Sequence, residues 1–138
     1  MKHKVTTAYA SGMSFETDID GFKLVIDAAP ENGGSNEGPR PKPLMLAALA
    51  GCTGIDVVSI LKKMRVEFES FDIDVEADVT EEHPKHYFSM HIIYRFKGEN
   101  LEMEKLEKAV SLSMERYCGV SAVYRKAMPV THEIQILK

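Results

Sequence analysis

One apolar stretch, Leu44 to Leu61, limits what this chain can fold into more than any other feature. It reads as a helix with hydrophobic side chains on nearly every face, interrupted by Gly51, Cys52, Gly54 and a single carboxylate, Asp56. At about 18 residues it reaches the lower edge of a membrane-spanning length. Asp56 near its centre would cost about 2.5–3.5 kcal/mol on insertion scales. The rest of the chain reads as amphipathic soluble elements, so no membrane partner is expected. A helix apolar all round and not in lipid must be wrapped by protein. Pro43 suits its first turn, where a missing N–H removes no bond. Lys62, Lys63 and Arg65 suit the negative end of its dipole.

The remaining pattern predicts an α+β domain spanning residues 1–138. Residues 5–10 and 13–17 are weak strand candidates. Phe22 to Asp27 alternates more clearly after a turn at Asp18 to Gly21. Pro30 to Pro43 is a Gly/Pro/Asn-rich loop, long enough to be expected as functional or mobile. Phe71 to Val79 and His86 to Phe96 each keep strict period two, which predicts an antiparallel hairpin across Thr80 to Lys85. Leu101 to Cys118 has a helical stripe, Met103, Leu106, Val110, Met114 and Tyr117, with Gly119 as its stop. Ser121 is a candidate cap for a short helix to Met128, and Val130 to Leu137 is a last strand.

The formal charge is −4 with no basic cluster, which argues against nucleic acid as a partner. Lys2 and Lys4 precede no apolar run, so no signal peptide is read and the expected compartment is the cytoplasm. In that reducing setting Cys52 and Cys118 are inert core thiols or redox groups rather than a lasting structural disulfide. No CxxC pair and no zinc spacing occur, so no metal or cofactor is expected. His3, His83, His86 and His91 form no constellation, and His132 falls on the apolar side of its strand as a core histidine. Asp56 shares a helix face with Cys52. It reads as a structural acid, bonded to nearby backbone or paired with Arg125 or Arg116.

Gly38-Pro39-Arg40-Pro41 leading into Leu46-Ala47-Ala48-Leu49-Ala50-Gly51-Cys52-Thr53-Gly54-Ile55-Asp56-Val57-Val58-Ser59-Ile60-Leu61 resembles the first motif of the OsmC/Ohr family. Glu115-Arg116-Tyr117-Cys118-Gly119-Val120-Ser121-Ala122, followed by Val130-Thr131-His132, resembles its second. The likeness is to the OsmC-like subgroup in which Asp-Val-Val-Ser-Ile-Leu follows the first cysteine. It implies antiparallel sheets around two long central helices in an intertwined homodimer, whose second subunit would cover the over-apolar helix. It also implies a thiol-dependent peroxidase acting on organic hydroperoxides and possibly hydrogen peroxide. Cys52 matches the attacking cysteine and Cys118 the resolving one. Two family positions differ. Lys42 and Pro43 stand where a glutamate is usual, and no arginine precedes Arg40.

A thiol reacts as its thiolate, and Cys52 lies too far inside its helix for the N-terminal dipole to help much. Arg40, in the loop before the helix, is the candidate thiolate activator, with Lys42 second. Attack on a peroxide gives a sulfenic acid at Cys52 that Cys118 traps as a disulfide, and a thiol or dithiol reductant restores both. The alternative is a non-catalytic dimeric small-molecule-binding module of the same fold, which the two departures favour.

Overall fold

A computed structural model describes residues 1–138 and divides into two compact units, Met1–Met45 and Leu46–Lys138. In the first, β1 (Thr6–Ser11), β2 (Ser14–Ile19) and β3 (Phe22–Ile26) form an antiparallel meander in that order. The β2–β3 turn is tight because Asp20 and Gly21 both take positive φ, 51° and 89°, the signature of a two-residue hairpin loop. The Asp18 carboxylate accepts from the Gly21 amide at 2.9 Å. The sheet leaves Tyr9, Phe15 and Phe22 exposed.

The loop after β3 is knitted rather than free. Asp27, 2% exposed, accepts from the amides of Ala28, Ser35 and Glu37 at 2.7, 3.0 and 3.1 Å. Those amides, Glu37 foremost, hold its carboxyl below the usual carboxylate range. Pro30–Asn32 forms one 3₁₀ turn. A Cβ at Gly34 would stand 1.8 Å from the Ala28 carbonyl oxygen, and one at Gly38 would stand 2.0 Å from that of Val25. Only glycine permits such approaches.

The second unit holds most of α1 (Pro43–Lys63), then β4 (Ser70–Val79), β5 (Tyr87–Lys97), α2 (Met103–Leu112), α3 (Gly119–Ala127) and β6 (Val130–Leu137). The expected hairpin is present: β4 and β5 pair antiparallel, with Phe71 opposite Phe96 and their rings stacked 4.2 Å apart. The sheet is mixed, however, because β6 joins β5 in parallel. A parallel neighbour requires a long crossover, here supplied by α2 and α3. Met90, Ile92, Tyr94 and Phe96 of β5 meet Leu49, Val57 and Leu61 of α1 and Leu106, Ala109 and Val110 of α2 in one core.

The second helix differs from its sequence reading. Its α-helical part stops at Leu112, and Ser113–Tyr117 continues as a π turn closed by the Cys118 amide on the Ser113 carbonyl at 2.7 Å. Tyr117 thereby leaves the apolar stripe and is 59% exposed, whereas Cys118 is buried. The cap of α3 is Cys118, not Ser121: its sulfur accepts the Ser121 amide at 3.4 Å. His132 is half-buried rather than core, its ring edge-on to Tyr94 and 3.7 Å from the Glu107 carboxylate.

Candidate functional site

Every fourth residue of α1 turns inward, Leu49, Thr53, Val57 and Leu61, each 0% exposed. Thr53 is the one polar side chain in that stripe. Its hydroxyl lies 2.7 Å from the Tyr94 hydroxyl and 2.8 Å from that of Ser113, and the Ser113 hydroxyl donates to Asp56 Oδ2 at 2.9 Å. Each hydroxyl has one proton, so the direction of the chain follows by elimination. Ser113 spends its proton on the carboxylate and must accept from Thr53. Thr53 then accepts from Tyr94. The result is a one-way relay of O–H dipoles, Tyr94 to Thr53 to Ser113, ending on the Asp56 carboxylate.

Cys52 is one residue before Thr53 and one helical turn before Asp56, which puts its sulfur beside the carboxylate. Cys118 arrives from the other side. The π turn brings Ser113 to Thr53 and Asp56, and the break after it presents Cys118 at the start of α3. Cys52, Cys118 and Asp56 thus place their sulfurs and one carboxylate oxygen within 4.8 Å of one another. Both cysteines are free thiols, Cys52 half-buried and Cys118 buried. Burial pushes the Cys118 thiol above its ordinary value. The Ser121 amide opposes this and the Cys52 thiol adds to it. Burial also pushes the Tyr94 phenol up to about 12. A pocket of about 420 Å³, lined by Asp56, Ser59, Ile60, Lys63, Leu112 and Tyr117, opens beside the carboxylate.

The structure therefore gathers the two cysteines that the sequence singled out. Asp56 takes the Ser113 hydroxyl as its partner, while Arg125 donates to the carbonyls of Met114 and Ser121. Arg40 donates to the Gly38 carbonyl at 2.9 Å and to Asn36 Oδ1 at 2.7 Å, within its own loop. Ser113 and Tyr94 went unread as site residues. The one signal that could have found Thr53 is its i, i+4 spacing with Leu49, Val57 and Leu61, but its partners come from other elements.

The OsmC-like protein family model matches residues 34–133. Protein YhfA of Escherichia coli K12 is 29% identical over 130 residues, covering 94% of each chain. A crystal structure of a hypothetical protein from Aquifex aeolicus VF5 superposes with a TM-score of 0.83 at 28% identity, covering 100% of this chain and 99% of that one. The organic hydroperoxide resistance protein OhrB of Bacillus subtilis superposes with a TM-score of 0.69 at 20% identity and 98% coverage of both chains, a likeness of fold.

Proposed function

This chain belongs to the OsmC-like protein family, and from that premise we propose that residues 1–138 act as one domain of a thiol peroxidase that reduces small organic hydroperoxides. The observation that supports this reading most is the convergence of Cys52 and Cys118, far apart in sequence, within 4.8 Å. The half-buried Cys52 is the one of the pair with access to solvent, so it is the attacking thiol. As a thiolate it takes the distal peroxide oxygen: the O–O bond breaks, the alkoxide leaves and is protonated to the alcohol, and Cys52 becomes a sulfenic acid. Cys118 then attacks that sulfur, an S–S bond forms and water leaves. A cytoplasmic thiol or dithiol reduces the disulfide by exchange and restores both thiols. Arg40, in the loop before α1, is the proposed activating cation.

The working form is a homodimer. Support comes from α1, whose most apolar 18 residues are only 22% buried within the chain. Ile55 is 74% exposed beside an open groove of about 750 Å³ lined also by Gly51, Gly54, Val58, Phe71 and Ile73. A second copy would remove this surface from water.

A second reading, a non-catalytic binding module of the same fold, draws support from Lys42 and Pro43 at the family's glutamate positions and from the raised Cys118 thiol. Peroxide consumption separates the two. With a dithiol reductant the protein consumes organic hydroperoxide and Cys52→Ser consumes none. Equal rates for the protein and Cys52→Ser would leave the binding module.

A further inference from the structure

The cluster of Cys52, Asp56 and Cys118 has a property that peroxide chemistry does not need. It combines two thiols with a carboxylate that is already oriented from behind. The geometry points to a metal site in which the reduced Cys52 and Cys118 sulfurs and the Asp56 carboxylate hold one zinc ion. Metal binding needs only reduced thiols and is independent of peroxidase activity.

Donor spacing fits such an ion. Ligands on a tetrahedral zinc at about 2.0–2.3 Å stand about 3.5–3.8 Å from one another. The three donor atoms here already lie within 4.8 Å of one another, so shifts of about 1 Å or less close them onto a common centre. The donor set selects the metal class: two sulfurs exclude hard magnesium and calcium, while sulfur with a carboxylate suits zinc. The surroundings supply the outer partners that metal ligands usually need. Ser113 donates to Asp56 Oδ2 at 2.9 Å, which fixes the carboxylate and leaves it lone pairs for a metal. The relay behind Ser113, through Thr53 and Tyr94, runs toward the carboxylate and strengthens that hold. The Ser121 amide fixes the Cys118 sulfur at 3.4 Å. Three protein ligands leave a fourth position for water or an incoming donor, reached past the half-buried Cys52. No zinc pattern is visible in the sequence because the ligands come from α1 and from the start of α3.

The test uses the full chain, reduced with a phosphine under nitrogen, and titrates in cobalt(II) as a spectroscopic stand-in for zinc. One cobalt per chain is expected, with a thiolate-to-cobalt charge-transfer band, the intense visible absorption of a tetrahedral site, and displacement by zinc. Cys52→Ser and Cys118→Ser each weaken the charge-transfer band. Asp56→Asn lowers the affinity at least 10-fold, and Ser113→Ala lowers it about 10- to 100-fold as an outer partner. The wild-type spectrum alone decides the sulfur ligation without any variant. Absence of the charge-transfer band at saturating cobalt overturns the site, and so does an affinity unchanged in a folded Asp56→Asn. Thiols that consume peroxide but take no cobalt would overturn only the metal site. A cobalt–thiolate band without peroxide consumption would overturn only the peroxidase.

Discussion

Asp56 and Ser113 show how one buried proton inventory constrains a site. The relay has a direction, so its members are not equivalent. Tyr94→Phe removes only the first donor, keeps the ring, and is expected to cost about 1 kcal/mol. Ser113→Ala takes the acceptor from Thr53 and strips the carboxylate of its donor, and is expected to cost about 1–3 kcal/mol. Urea denaturation of the two variants checks that order. Equal losses would mean that the proton order derived for the relay is wrong. The buried thiol beside the relay bears on pH. Burial, foremost, raises the Cys118 thiol in the folded protein, so above about pH 8.5, where an unfolded thiol ionises, only the unfolded chain sheds that proton. Stability from this group is full below that pH and falls as pH rises through the folded value. Tyr94, raised to about 12, extends the same decline upward. Cys118→Ala is expected to flatten the first part of the alkaline limb in thermal melts between pH 8 and 11; an unchanged slope would remove Cys118 as its source.

The π turn of Ser113–Tyr117 and the break at Cys118 do what an uninterrupted helix to Cys118 would not: they turn Ser113 and Cys118 toward α1 while Tyr117 faces out. A π turn inside a helix is often found at functional sites. This is where the sequence was least legible. Spacing alone cannot tell an i→i+5 ladder from an α-helix when Met114 and Tyr117 continue the stripe, and a cysteine is not an expected helix cap. The β4–β5 hairpin was legible, because two long period-two runs across a polar turn leave few alternatives. The parallel pairing of β6 was not, since it depends on the α2–α3 crossover. Cys52 and Cys118 were recognised through their motifs, yet their convergence needed the fold. The loop after β3 teaches the reverse lesson: its composition suggests mobility, but Asp27 gathers three amides from it. Gly38→Ala, which drives a Cβ against the Val25 carbonyl, is expected to lower the melting temperature by several degrees. An unaltered melting temperature would mean that this approach is not needed.

Across the chain, large apolar side chains stand exposed, among them Ile55 on α1 and Tyr9, Phe15 and Phe22 on the first sheet. The proposed second copy, seated on α1, would account for a helix whose composition otherwise suits a bilayer. Ile55→Glu buries a charge in that proposed interface and is expected to convert dimer to monomer in light scattering after gel filtration. A dimer that persists would move the interface elsewhere. The account rests finally on two sulfurs exchanging electrons with a peroxide. Intact-mass measurement after one equivalent of organic hydroperoxide tests this most directly. The expected product has lost two hydrogens and carries a single Cys52–Cys118 bridge, reversed by a dithiol. Unmodified thiols, or oxygen added at Cys52 with Cys118 never joined to it, would contradict the account.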